Sequence, residues 1–161
     1  MEDYYIILNL NYSSQMLIDE SFRVRYKPFE IDKKSNSWFD YAPTWMQGRI
    51  IDTKLYSEIH RLTNVIKEKS GARDVRPRFY RQEKNTHVPM HADVNTKCCI
   101  NVILSEKAAP IVFEDIGEVN YKCALLNITK RHMVPQFEDE RLLLKFSIFD
   151  KTYEEVKRCM T

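Results

Sequence analysis

The sequence predicts a mainly β fold, a sandwich or barrel with flanking helices, and three observations carry that expectation. From Val75 onward, β-branched and aromatic residues gather in seven short segments: VRPRFYRQ, THVPMHAD, KCCINVILS, PIVFED, VNYKCALLNIT, HMVPQF and RLLLKFSIF. No helical stretch separates them, which suits closely spaced antiparallel strands. In the last segment Leu142, Leu144, Phe146 and Ile148 alternate with Arg141, Leu143, Lys145 and Ser147. That period of two gives a strand with one wholly apolar face and one face bearing two cations. Helical periodicity, finally, falls outside this β region. Leu55, Ile59, Leu62 and Ile66 recur at helical spacing from Asp52 onward, and Gly71 supplies a stop.

The remaining elements follow in order. Residues 3–10, DYYIILNL, favour a strand, and Ser13 or Ser14 can cap a short helix over QMLIDESF. Residues 33–48 mix polar residues with Trp38, Phe39, Tyr41 and Trp45 and read as an irregular loop, whose aromatics either wall a cleft as a lid or plug the core edge. YEEVKRCM near the C-terminus reads as a terminal helix. At 161 residues and 43% apolar composition the chain builds one core, hence a single domain over 1–161. Within it, residues 1–74 form an N-terminal support, 75–150 the β core and 151–161 a closing helix.

The net charge of +2 is far from the strongly basic balance of chains that bind by neutralising phosphates, so charge does not argue for nucleic acid. The first residues are acidic and lack a basic leader, and no apolar run is long enough to cross a bilayer, so an intracellular, cytoplasmic protein without membrane contact is expected. Cys98, Cys99, Cys123 and Cys159 include no Cys-x-x-Cys spacing, and reduced thiols are expected. Between Lys67 and Lys84 seven Lys or Arg face three acids, which gives a solvated face or an attraction for an acidic peptide or nucleic acid strand.

The densest chemistry lies in HVPMHADVNT, residues 87–96. If residues 86–93 form a strand, His87, Pro89, His91 and Asp93 share a face, and His91 and Asp93 can grip one ion together. A helical His87/His91 pair is ruled out by Pro89 between them. Further along, His132 follows another β-rich run, and Arg141 opens the last strand nine residues later. Two imidazoles and one carboxylate fill three sites of an octahedral Fe(II) and leave three open.

The order His91-x-Asp93, His132, Arg141 resembles the non-haem Fe(II) and 2-oxoglutarate-dependent oxygenase superfamily, built on a double-stranded β-helix, a cupin-like jelly roll. The likeness spans roughly residues 75–150. It implies that His91, Asp93 and His132 bind Fe(II), that Arg141 clamps the distal carboxylate of 2-oxoglutarate, and that O2 oxidises a substrate C–H bond with release of succinate and CO2; ascorbate would act as a stimulant. Tyr80 is similar in placement to a tyrosine that bonds 2-oxoglutarate in prolyl hydroxylases. Lys145 is the alternative carboxylate clamp, and Asn101 can reach the cosubstrate or satisfy the backbone.

His87 and Arg78 are candidate substrate contacts. Leu143 stands where many relatives carry Ser, and APIVFED lacks the Gly-Gly of prolyl hydroxylases. LLNITKRHMV followed by ERLLLKFSI also resembles aspartyl/asparaginyl hydroxylase-like members and compact phage-type oxygenases. The resemblance implies hydroxylation of an unidentified substrate, with peptidyl Pro, Asp or Asn ahead of a nucleobase or small metabolite. Two other classes stay open, a jelly-roll module that binds metal without turnover and a nucleic-acid-directed protein. Neither substrate nor oligomeric state is written in the sequence.

Overall fold

The structure, a computed structural model, describes residues 3–28 and 45–161. Eleven strands fall into two antiparallel sheets among these residues. They are β1 (Tyr5–Ile7), β2 (Tyr26–Pro28), β3 (Trp45–Arg49), β4 (Val75–Gln82), β5 (Val88–His91), β6 (Cys98–Ile103), β7 (Ile111–Phe113), β8 (Gly117–Val119), β9 (Cys123–Leu126), β10 (His132–Val134) and β11 (Arg141–Ile148). The larger sheet runs β1-β9-β6-β11-β4-β3-β2 and the smaller β5-β10-β7-β8. From β4 to β11 the chain alternates between them: β4, β6, β9 and β11 lie in the large sheet, and β5, β7, β8 and β10 in the small one. This alternation is the double-stranded β-helix, and the jelly-roll expectation holds.

Three helices, α1 (Ser14–Ser21), α2 (Ser57–Ser70) and α3 (Tyr153–Met160), cover the outer face of the large sheet. The apolar face of β11 explains why. Leu142, Leu144, Phe146 and Ile148 pack with Ile59, Leu62 and Ile66 of α2 and Tyr153 and Val156 of α3 into one buried cluster. A second cluster joins Cys99, Ala124 and Leu126 of the large sheet to Ile111, Phe113 and Val119 of the small one. The polar-bearing face of β11 therefore points between the sheets. No described helix is long and apolar enough to cross a membrane.

Several local expectations are corrected. The helix expected from Asp52 breaks at Tyr56, which sits at φ −133°, and Leu55 belongs to a separate 3-10 turn, Thr53–Leu55. The reason is a cap from elsewhere: the buried Glu20 carboxylate of α1 accepts from the backbone N–H of Glu58 (2.8 Å), holding the start of α2 at Ser57. Strands β2, β3 and β8 were not anticipated. Residues 33–44 of the proposed loop lie outside the described residues, but Trp45–Gly48 are strand, not loop, paired along β4 from Trp45↔Gln82 to Arg49↔Arg78. Gly48 is required there, because a Cβ would meet Val24 and Tyr26 side chains at 2.8 Å. The four cysteines are free, and burial pushes the Cys99 and Cys123 thiols up to about 12, so both are inert near neutral pH.

Candidate metal centre and its surroundings

His91 ends β5 and His132 begins β10, and the two are direct partners across the small sheet. Their rings stand 4.5 Å apart. Between His132 and Val134 the register shifts, so that β5 carries one extra residue in the stretch holding Pro89. Proline, with no N–H to donate, suits such a bulge. The Pro89 carbonyl accepts a 2.7 Å bond from His91 Nδ1, and the Lys130 carbonyl a 2.7 Å bond from His132 Nδ1. A carbonyl can only accept, so each Nδ1 donates and the ring atom left facing the cluster is Nε2. This is the arrangement of a metal-binding histidine, with its outer nitrogen tied down.

Asp93 departs from the strand-alternation expectation, because β5 ends at His91 and Asp93 lies beyond it. It is placed instead by its backbone N–H, which donates to the Ile128 carbonyl after β9 (2.9 Å). Its Oδ1 lies 3.3 Å from His91 Nε2 and 3.6 Å from His132 Nε2, and the donor atoms of all three residues fall within 4.8 Å of one another. Its Oδ2 accepts from Lys145 Nζ at 3.3 Å, leaving Oδ1 turned to the imidazoles. Among the described residues this is the one cluster of three or more such donors able to hold a metal ion; His87, half-buried just before β5, does not join it.

Electrostatics favour ligation. Burial opposes ionisation of Asp93, but the Lys145 ammonium beside it outweighs this and holds the carboxyl well below the usual range. Burial and the neighbouring His91 lower His132 from 6.5 to about 4, so its Nε2 stays unprotonated across the physiological range. A pH dependence follows. Because the folded value lies below the unfolded one, the unfolded chain takes up a proton that the folded chain refuses as pH falls from 6.5 to about 4. Metal-free protein should lose up to about 3 kcal/mol of stability across that window. Urea denaturation at stepped pH measures it, and His132→Gln should flatten the decline.

Register fixes the rest of the inner face. On β11, Arg141, Leu143 and Lys145 stand opposite Gln82, Tyr80 and Arg78 of β4. Leu143 and Lys145 stand opposite Ile103 and Asn101 of β6. Arg141 and Lys145, four residues apart, are separated by roughly 13 Å. Lys145 thus marks the end of this inner face beside Asp93, and Arg141 the far end. Lys145, the alternative carboxylate clamp, sits against Asp93 instead, at the opposite end from Arg141.

Arg141 is 3% exposed, and its Nε has no hydrogen-bond partner among the described residues. Its Nη2 donates to Tyr121 Oη (3.3 Å), which also accepts from Asn101 Nδ2 (3.0 Å). Asn101 is therefore an inward-facing residue. Tyr80 is buried, stacked on Trp45 (5.2 Å), and its hydroxyl accepts from Gln47 Nε2 (3.0 Å). Sequence reading missed Tyr121 and Gln47, and it named Trp45 as a cleft-wall or core-edge aromatic but placed it in a loop. Tyr121 precedes β9 and no alternation marks it; Trp45 and Gln47 lie on a strand whose pairing partner is distant in sequence.

No protein-family model matches the chain, and no curated protein matches it in sequence. Solved structures do. An oxidoreductase of the 2OG-Fe(II) oxygenase family from Burkholderia pseudomallei aligns with TM-score 0.65 at 14% identity, covering 94% of this chain and 86% of that one. The chain has the 2OG-Fe(II) oxygenase fold. A Pseudomonas putida prolyl-4-hydroxylase shares this oxygenase fold with TM-score 0.64 at 14% identity, covering 90% and 92%. A Trichoplax adhaerens prolyl hydroxylase, solved with a hypoxia inducible factor oxygen degradation domain peptide fragment, does so with TM-score 0.68 at 11% identity, covering 98% and 87%.

Proposed function

We propose that this protein is an Fe(II)- and 2-oxoglutarate-dependent dioxygenase that hydroxylates a substrate C–H bond, with succinate and CO2 as coproducts. One observation carries the reading: the His91–Asp93–His132 cluster and the buried, incompletely bonded Arg141 lie at opposite ends of one inner face in the oxygenase fold. The residues fit the cofactors. Two imidazoles and one carboxylate suit Fe(II) and leave coordination positions free, and a lone buried guanidinium calls for an anion.

His91, Asp93 and His132 would hold the iron, which supplies oxygen activation and oxidation of the C–H bond when 2-oxoglutarate and O2 are bound. The chain's own residues do the rest. The Pro89 and Lys130 carbonyls fix the imidazole tautomers, and Lys145 orients Asp93 toward single-oxygen ligation. Arg141 takes the distal carboxylate of 2-oxoglutarate through its planar fork, steadied by Tyr121. Leu143, Ile103 and Tyr80 form an apolar cluster between the two ends and exclude water there. Asn101 acts through Tyr121. The peptide-bound prolyl hydroxylase of the same fold supports a peptide substrate, with a prolyl side chain ahead of Asp or Asn.

The test is succinate formation. Purified protein given Fe(II), 2-oxoglutarate, ascorbate and air should release succinate, and His91→Ala should release none. Equal release by both proteins would refute the assignment.

A further inference from the structure

The row of the inner sheet that begins at Lys145 does not end there. Lys145 stands opposite Arg78 of β4, and Arg78 opposite Arg49 of β3. Residues paired across antiparallel strands point to the same side, so three cations run abreast from the metal ligand Asp93 toward the open edge of the sheet. Arg49 and Arg78 have no ion pair among the described residues. Arg76, on the same face, is held by Asp74 through its Nε (2.9 Å) and its Nη2 (3.0 Å).

Arg49, Arg76 and Arg78 line a cavity of about 380 Å³ whose other walls are Ile50, Ile51, Thr53, Val75 and Pro77. No acid lines it. Ile51 is 92% exposed, and Leu55, just beyond it in the chain, is 63% exposed. Arg49 and Arg78, without an ion pair among the described residues and beside bare apolar side chains, mark a surface left for a partner carrying both carboxylates and an apolar residue. A phosphate-bearing ligand alone would have no use for Ile51 and Leu55. Its arginines are level with Lys145 or beyond it on β11, four or more residues along the strand from Arg141, so the cavity does not duplicate the 2-oxoglutarate anchor.

We infer that the Arg49–Arg78 cavity is a substrate subsite that selects an acidic peptide segment, with a carboxylate side chain about three residues from the residue to be hydroxylated. The spacing comes from the sheet: two interstrand steps separate Lys145 from Arg49, about 10 Å, which an extended peptide covers in about three residues. Its assignment as a substrate subsite rests on the oxygenase reading; the peptide preference itself does not.

Fluorescence anisotropy on the full chain tests it with a labelled dodecapeptide that has a central proline, a leucine, and two glutamates three and four residues away, against a copy with glutamines in their place. The acidic peptide should bind wild type at least about tenfold more tightly, with a steep loss on adding salt. Arg49→Gln with Arg78→Gln should erase the difference, while calorimetric 2-oxoglutarate binding to the Zn(II)-loaded protein stays at the wild-type value. Arg49→Glu with Arg78→Glu should instead favour a copy with lysines.

Equal binding of the acidic and neutral peptides by wild type overturns the inference without any variant. So does a preference that survives both arginine substitutions, or tighter binding of a single-stranded oligonucleotide that is lost in the same variants. If instead no metal-dependent 2-oxoglutarate binding is found while the peptide contrast persists, the oxygenase reading has failed and the acidic-peptide site stands.

Discussion

Arg141→Gln should weaken 2-oxoglutarate binding by about a hundredfold while leaving metal affinity close to wild type. A charge-assisted, two-pronged guanidinium–carboxylate contact in a buried site is worth about 3 kcal/mol, which corresponds to that factor. Arg141 does not touch the metal ligands, so the loss should fall on the cosubstrate alone; calorimetry of 2-oxoglutarate on Zn(II)-loaded protein reads it. The same residue makes a second, opposite prediction about stability. It is 3% exposed, with an Nε that finds no partner among the described residues and no carboxylate bridged to it. Keeping such a charge in the core costs folding free energy. Arg141→Met should raise the melting temperature of cosubstrate-free protein even as it disables cosubstrate binding. A purely structural arginine would show the reverse, a lower melting temperature and unchanged binding.

His132→Ala should lower divalent-metal affinity by at least about a hundredfold, since even the loss of an outer hydrogen bond to a ligand costs ten- to a hundredfold. The imidazole is held at its outer nitrogen by the Lys130 carbonyl and stands directly across from His91, so its lone pair is aimed before any ion arrives. Removing it leaves one imidazole and one carboxylate, a pair too few to retain a labile ion. Zn(II) or Mn(II) titration with a competing chelator measures the change. Wild-type affinity in His132→Ala would mean that the ion sits elsewhere.

Much of the core was legible because sheet chemistry repeats every two residues. The alternation in RLLLKFSI places Arg141 and Lys145 on one face, and the structure keeps them there, between the sheets. That His91, Asp93 and His132 form one cluster was legible from their types and order. Their placement was not, because Asp93 is set by a bond to the Ile128 carbonyl and His91 by a register shift at Pro89, and both depend on neighbours far along the chain. The same holds for the start of α2, where the carboxylate from Glu20 does the capping. Trp45 and Gln47 appeared loop-like because a short strand at a sheet's outer region has little alternation to show. Lys145 illustrates a subtler limit. Sequence puts it on the correct face, but only register against β4 and β6 shows that it meets Asp93 rather than the distal end of a dicarboxylate.

The most direct measurement is an anaerobic titration of the Fe(II)-loaded protein with 2-oxoglutarate, followed by visible absorbance. A charge-transfer band that saturates at one equivalent, and that is missing in His132→Ala, is the expected outcome. A protein that takes up Fe(II) at His91, Asp93 and His132 yet shows no band at saturating 2-oxoglutarate would contradict the account and leave a metal-binding jelly roll in its place.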